Sequence, residues 1–494
     1  MGLFASNIIT SDSALGSASI QRSLRFNRSD NAKLSKTFSS AGNRKKWTFS
    51  VWAKFPDPYD SNTNQIFSYQ QGHVNHRGSF YKGSSGVLNY QLRVGGTRKA
   101  FVTTDAQLRD PNSWYHIVLV IDSDQGSSTN RVKIYINGVQ QSVVYHDTPA
   151  SGFETWINST QTIYLGAAAD ENGGNMYLAE CNFIDGSVLT PSSFGFTDPV
   201  TGIWMPKRYE GTYGTNGFYL DFSDNSSTAA LGIDKSPNGN DWTTTNFSVS
   251  AGSGNDSLED TPTNNFPILN PIAPFGSTVP SLSNGGLDFS MTSNNMYPMS
   301  SFMIPKTGKW YAEVVFTAGG NSQETVIVSN PRLQQNSSGS SATHRHNAIN
   351  YYNTDIRVDD SDVQSSLTAV GLNNVIGICV DRDAGTVFFK NNNVQIGTPV
   401  NLSAAAGSTE DLIFGVGRGS SSGNTISGSF NFGQRPFSYT PPAGFRAVCA
   451  RNILPDSSIV KPQKHFETLL YTGNSVNNRA ITGLGFSPDL VWIK

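Results

Sequence analysis

Charge is scarce in this chain. Only 15% of its residues are charged, and 35 Lys and Arg stand against 37 Asp and Glu for a formal net charge of −2. Phosphate neutralisation needs blocks of Lys and Arg, and none is present, so the composition excludes an electrostatic nucleic-acid binder. Polybasic attraction to a membrane surface is excluded on the same ground. Cysteine is rarer still: Cys181, Cys379 and Cys449 lie far apart in sequence. They give neither a disulfide framework nor a Cys-based zinc site, and each sits in or beside an apolar run, as a buried thiol does. No window approaches the run of about 18 apolar residues that spans a membrane. Met1 to Gln21 lacks the basic start and continuous apolar stretch of a secretion signal. Met1 to Ser6 fits the myristoylation pattern only formally, and is read as coincidence. Long helical periodicity is missing throughout.

What is present is turn chemistry: 47 Gly, 23 Pro and many Ser, Thr and Asn in 494 residues. That composition predicts an all-β protein, too long for one ordinary core. Residues 1–21 hold too little apolar surface to fold alone and read as an extended N-terminal arm for anchoring or subunit pairing. A first sandwich is expected over residues 22–250. In Trp47-Thr48-Phe49-Ser50-Val51-Trp52-Ala53-Lys54-Phe55, alternation places Trp47, Phe49, Val51 and Phe55 on one face of a strand. Trp114 to Ile121 is apolar on both faces and stops at Asp122. Arg131 to Ile136 alternates again and ends in Asn137-Gly138, a hairpin signal because a type I′ turn needs positive φ at both central residues. Further strands are expected around Thr162–Leu165, Tyr177–Ile184 and Phe218–Phe222.

Residues 251–286 collect Gly, Ser, Asn and Pro and read as a linker partly wrapped on its neighbours. A second sandwich is expected over residues 287–454. It opens with Trp310 to Phe316, where Trp310, Ala312, Val314 and Phe316 share a face, and contains a polar loop from Gln334 to Ala342. Val375 to Val380 reaches Asp381, Ala384-Gly385 turns the chain into Thr386 to Lys390, and Asn391-Asn392-Asn393 follows. The order of apolar strand, Asp, Gly turn, strand and Asn-rich turn repeats that of the first block and predicts two domains of related architecture. Residues 455–494, with strands expected at His465–Tyr471 and Leu490–Ile493, read as the start of a further β domain or as an inter-chain strand. The chain is expected to continue beyond Lys494 or to pair there with another chain, because an unpartnered strand is marginal.

Ser23-Leu24-Arg25-Phe26, the Trp47–Trp52 strand, Trp114-Tyr115-His116-Ile117-Val118 and Val132 to Gly138 resemble the laminin-G-like members of the concanavalin A-like lectin/glucanase superfamily. Gly308-Lys309-Trp310-Tyr311, Val375 to Asp381, Phe430 to Phe437 and Pro441-Pro442-Ala443-Gly444-Phe445 resemble a SPRY domain. The resemblance implies two concanavalin A-like jelly-roll sandwiches in tandem. Joined to a tail with Gly483-Leu484-Gly485-Phe486-Ser487-Pro488-Asp489-Leu490-Val491-Trp492-Ile493-Lys494, the combination is similar to large virion proteins of marine tailed bacteriophages, especially cyanophages. It implies a virion location on tail or capsid surface, contact with other virion proteins, a homotrimer by analogy with fibres, and attachment to a host-surface glycan or receptor. The leading expectation is a tail fibre or fibre-like appendage; the alternatives are a capsid decoration protein and a glycan depolymerase.

Retaining glucanases of this superfamily place Glu and Asp at alternate positions of one strand, and this chain has no such run, so no catalytic residue and no enzyme activity are expected. Asp170-Glu171 and Asp359 to Asp362 have the neighbours of solvated turns. A Ser/His/Asp triad is defined by geometry, and seven scattered histidines without a nucleophile elbow give it no support. No cofactor is required. Calcium has two places to go, Asp122-Ser123-Asp124 and Asp381-Arg382-Asp383, each with alternating carboxylates ahead of a Gly turn, where a hairpin also needs polar residues. His344 and His346 share a face if extended, and a threefold axis would bring six imidazoles to a transition metal; exposed histidines beside a Ser/Gly loop are the plainer reading. For glycan contact the loop-like candidates are Trp156, Asn158, Tyr209 and Tyr213, an aromatic platform with amide and hydroxyl groups. The glycosylation sequons at Asn158 and Asn336 are read as incidental.

Overall fold

The computed structural model describes residues 18–58, 60–71, 75–169, 173–199, 201–272, 280–293, 296–319, 324–330, 348–359, 361–405, 411–418, 424–453, 466 and 468–492. Most of the expected arm, the Gln334–Ala342 loop, Asp170-Glu171, Asp360, Asn336, His344 and His346 lie outside the described residues. The regular structure of the described residues is almost entirely antiparallel sheet.

The first sandwich has two sheets of eight strands. One runs in the order Val139–Gln140, Val132–Ile136, Trp114–Asp122, Lys46–Lys54, Met176–Asp185, Ser23–Phe26, Ser257–Leu258, with Phe218–Leu220 also pairing on Met176–Asp185. The other runs Val143–Asp147, Thr97–Gln107, Val87–Val94, His76–Lys82, Asn64–Gln71, Thr162–Leu165, Lys33–Thr37, Thr243–Thr245. Trp47, Phe49, Val51 and Phe55 all enter the core between them, as their alternation requires. Trp52 points the other way, into a smaller cluster with Trp114, Tyr177, Leu258 and Ile20. The double-sided apolarity of Trp114–Asp122 has the same cause: Ile117, Leu119 and Ile121 face the core, while Val118 and Val120 lie under an outer layer built from Phe194, Tyr213 and Tyr219.

The second sandwich has an eight-stranded sheet in the order Ser281–Ser283, Asp288–Met291, Ile426–Asn431, Lys309–Ala318, Val375–Asp381, Thr386–Asn391, Val394–Asn401, with Phe445–Ala447 parallel to Lys309–Ala318. Its five-stranded partner runs Ser361–Gln364, Asp355–Val358, Ala348–Tyr352, Glu324–Ser329, Ile413–Arg418. Trp310, Val314, Ile378, Phe389 and Phe430 fill the core between them.

The repeated order of motifs is a repeated piece of structure. Lys46 stands opposite Asp122 in register, and Lys309 opposite Asp381. Each lysine is followed by a fully buried tryptophan, Trp47 or Trp310. Each Asp-terminated strand then leads through a turn to a second strand and a hairpin with two positive φ angles, 48° and 82° at Asn137-Gly138 and 46° and 67° at Asn392-Asn393.

The Pro/Gly/Asn-rich stretch is a buried seam: Asn255 to Asn264 are buried except Glu259. Arg25 grips Asp256 at 3.0 Å and the Asn284 carbonyl at 3.4 Å. Lys54 Nζ donates to Asp260 at 2.7 Å, Asn265 at 2.9 Å and the Phe266 carbonyl at 3.1 Å. From the second sandwich, Arg435 donates to the Ser253 carbonyl and the Gln434 carbonyl accepts from Glu259 N–H at 2.7 Å. Residues 18–20, assigned to the arm by sequence, are embedded here, with Ile20 N–H donating to Thr263 Oγ1 at 3.0 Å. The strands expected at His465–Tyr471 and Leu490–Ile493 do not form among the described residues, where Leu490 and Trp492 are 85% and 92% exposed. Among the described residues no neighbouring strand pairs with them.

Candidate functional site

The candidates singled out from sequence are dispersed, and most are structural. Asn158 is fully buried with φ of 68°; its amide donates to the Asn43 carbonyl at 3.0 Å and to Asp185 at 2.6 Å, and accepts from Asn216 at 2.9 Å. It ties three loops together and is out of reach of a ligand. Tyr213 is 8% exposed and spends its hydroxyl on Asn182 at 2.9 Å. Tyr209 packs on Phe194 and edge-on against Tyr213, at centroid distances of 5.2 and 5.1 Å. Both tyrosines were taken up by the outer apolar layer over Val118 and Val120. Trp156 is half-buried, with Tyr69 at 5.3 Å and the Arg44 guanidinium 5.5 Å from its ring, and donates Nε1–H to the Arg93 carbonyl at 2.9 Å.

The two acidic loops hold lysines. Lys46 Nζ lies 3.9 Å from Asp122 and 3.6 Å from Asp124. Lys309 Nζ lies 2.9 Å from Asp381. Burial opposes ionisation of Asp381, but N–H groups of Ala384 and Asp383 and the Lys309 ammonium outweigh it and hold the carboxyl below its usual range. Asp383 accepts from Gly308 N–H at 2.7 Å. The cation each loop requires is supplied by the chain, and among the described residues no group of three or more His, Cys, Asp or Glu side chains could hold a metal ion. The three cysteines are buried and free, and burial pushes Cys379 up to about 12 and Cys449 up to about 11, which keeps the thiols protonated.

One Ser–His contact does exist: Ser50 Oγ lies 2.8 Å from His116 Nε2. Its third member is Trp204, whose indole Nε1–H donates to His116 Nδ1 at 3.0 Å. An indole nitrogen only donates, so Nδ1 is the bare nitrogen, Nε2 carries the proton, and the imidazole donates to Ser50 instead of accepting from it. Burial lowers the His116 pKa to about 3. The pair is a hydrogen-bonded strut between sheet and outer layer, without the base that a nucleophilic serine needs.

A face missed by the sequence reading has a different character. The second sheet of the first sandwich is covered on its core side by Ile66, Phe67, Phe80, Tyr90, Leu92 and Val102. Its opposite side is almost entirely polar or aromatic. One cross-strand row reads Ser35, Tyr164, Ser68, Ser79, Gln91, Phe101. A second reads Gln65, Tyr81, Asn89, Thr103, and a third Gln70, Arg77, Arg93, Arg98. Short polar residues in the middle sit low between long neighbours, so Ser68, Ser79 and Gln70 are 0%, 0% and 3% exposed although they face away from the core. The rings stand over cations: Lys33 is 5.9 Å from the Tyr164 ring, Arg77 5.5 Å from Tyr81 and Arg98 5.1 Å from Phe101. Strands place these groups about 4.8 Å apart across the sheet, a spacing suited to hydroxyls around a sugar ring. The carboxylates on its outermost strands, Asp105 and Asp147, cannot act as a glycosidase pair. Asp147 is level with Phe101, four residues from Asp105, which is roughly 13 Å along a strand, beyond the separations of about 5–9.5 Å that glycosidases use. Period-2 alternation put these residues opposite the core, but only the strand order brings six separate segments into one surface.

Residues 26–186 match the Laminin_G_3 family of the concanavalin A-like lectin/glucanases superfamily, so the polar face belongs to a concanavalin A-like lectin domain. Residues 461–494 match a domain of unknown function, DUF7483. No curated protein matches the chain in sequence. Among solved structures, a mouse laminin α1 fragment, domains LG4-5, is 10% identical, covering 89% of this chain and 97% of that one at a TM-score of 0.29. The SPRY domain of human HERC1 is 15% identical over 33% of this chain and 96% of that one, at a TM-score of 0.27. A heptameric SAP-like pentraxin from Limulus polyphemus is 21% identical over 35% and 80%, at a TM-score of 0.27.

Proposed function

We propose that this chain is a glycan-binding structural protein that takes hold of a carbohydrate surface through the polar face of its first sandwich, without cleaving it. The observation that carries this reading is the face itself: a lectin-type sheet whose non-core side offers hydroxyls, amides, guanidinium groups and three rings, and among its described residues no carboxylate pair at catalytic spacing. The tail-fibre or fibre-like placement on a phage particle, with host attachment as its purpose, is part of the same proposal and rests on the resemblance of the combined modules and tail.

The test is a glycan array probed with the full chain, followed by reducing-sugar release on every glycan retained. Binding without release is expected, and Tyr164→Ala with Tyr81→Ala should weaken it about tenfold or more by removing two rings from the face. Retention unchanged in that variant would place the binding elsewhere, and sugar release would overturn the non-catalytic reading. Immunogold labelling of purified particles tests the placement: label along the tail is expected, and label over the capsid would favour a decoration protein.

A further inference from the structure

We infer that one end of this face is an oxyanion subsite, so that the preferred glycan is acidic, bearing sulfate or carboxylate groups; the inference rests on the glycan-binding reading and narrows its ligand. The third row carries it. Gln70 pairs across the strands with Arg77, Arg77 with Arg93, and Arg93 with Arg98, which sets three guanidinium groups on neighbouring strands of one face. Like charges directly opposite one another on a sheet repel and destabilise it. Arg98 is answered by Asp147 at 2.7 Å. Arg77 donates Nε–H to Ser79 at 2.9 Å and lies over Tyr81. Arg93 makes no ion pair with any described carboxylate.

Gln70 is the independent observation. It is 3% exposed, and neither its amide nitrogen nor its amide oxygen has a hydrogen-bond partner. A buried amide left wholly unpaired is destabilising, and a bound group that both accepts and donates satisfies it. A sulfate or carboxylate oxygen accepts from the Gln70 amide and from the Arg77 and Arg93 guanidinium groups together, and a neighbouring sugar hydroxyl donates to the Gln70 oxygen. Trp156 fixes the end of the row, because its indole donates to the Arg93 carbonyl and its ring meets His76 edge-on at 4.8 Å. The molecule as a whole is slightly acidic, so this local excess of arginine is not a by-product of composition.

Binding of the full chain to dextran sulfate, polygalacturonate, neutral dextran and single-stranded DNA at low and moderate salt tests the inference. Retention of one or both acidic polysaccharides at least tenfold tighter than neutral dextran, weakening with salt, is expected, and which of the two prevails identifies the anion. Arg77→Gln with Arg93→Gln should abolish that preference. Gln70→Glu should abolish it too while keeping the melting temperature, since the new carboxylate stands opposite Arg77 and repels an anion there; this variant separates a lost subsite from a lost fold. Equal affinity for neutral dextran and the acidic polymers would overturn the oxyanion subsite and leave the glycan face standing. Failure to bind any polysaccharide here or on the array would remove both, and DNA held as tightly as the acidic glycans with the same variant sensitivity would overturn the assignment to carbohydrate.

Discussion

Glu180 shows what one residue can do to the pH response of the whole. It sits in a bulge of Met176–Asp185 with φ of 51°, partly buried beneath the outer layer, and accepts the Tyr219 hydroxyl at 2.7 Å. Burial pushes its pKa up to about 7; the Tyr219 hydrogen bond and Arg208 pull it down, and Asp221 adds to the rise. Between the ordinary glutamate value and about 7 the folded protein holds a proton that the unfolded chain has released, so this group's contribution falls as pH rises through that window and is intact below it. Glu180→Gln keeps an acceptor for Tyr219 and removes the titration. Urea midpoints measured from pH 4.5 to 8 should decline less steeply in the variant, with a melting temperature about 2–4 °C higher at pH 8. Equal slopes would show that the carboxyl ionises freely in the fold. Asp256, which burial raises against the pull of Arg25, contributes the same sign in both proteins and cancels from the comparison.

At the scale of elements, the two repeated hairpin units can be set against each other because their glycines stand in different surroundings. A Cβ on Gly138, at φ of 82°, would meet the Trp204 ring at 2.5 Å, whereas one on Gly385, at φ of 67°, would meet nothing within 4 Å. Gly385→Ala therefore costs only the left-handed backbone, about 1 kcal/mol. Gly138→Ala must also displace Trp204 from His116, and should cost about 2–4 kcal/mol in equilibrium denaturation. Similar losses at both sites would mean that Trp204 is loosely held. These hairpins were legible in the sequence because a positive-φ turn and an alternating strand are local properties: Asn137-Gly138 and the Trp47 face needed no partner to be recognised. The outer layer was not, since Tyr209 and Tyr213 look like loop aromatics until the sheet beneath them is known to be apolar on both sides. The polar face escaped for a related reason. Gln70, Arg77, Arg93 and Tyr164 belong to four strands spread over nearly a hundred residues, and period-2 alternation reports a residue's side of a strand, not its neighbour on the next one.

Buried charges hold the seam between the two sandwiches, and that has a consequence for how the whole molecule unfolds. Lys54 and Asp260 are 0% and 1% exposed at the side chain, so their attraction acts in a weakly screened interior. Burial lowers the Lys54 pKa against the pull of Asp260, and Asp260 also accepts the Trp114 indole N–H at 3.0 Å. Removing Asp260 by mutation to Ala leaves the lysine buried without its counter-charge at the point where the first sandwich meets the seam, a loss of about 3–5 kcal/mol. Because the same seam carries the Arg25 and Arg435 contacts, loosening it should uncouple the two cores: calorimetry is expected to give one transition for the native chain and two for Asp260→Ala, the earlier one shifted down. Lys54→Met combined with Asp260→Asn removes both charges yet leaves an acceptor for Trp114, and should restore the single transition and most of the stability. Recovery of that kind separates an uncompensated charge from lost packing, because a simple cavity at Asp260 would not be repaired by a substitution at Lys54. A single unshifted transition in Asp260→Ala would instead mean that the hydrogen bonds from the Tyr177 hydroxyl to the Gly285 carbonyl and from Glu259 N–H to the Gln434 carbonyl hold the sandwiches together without help from the ion pair.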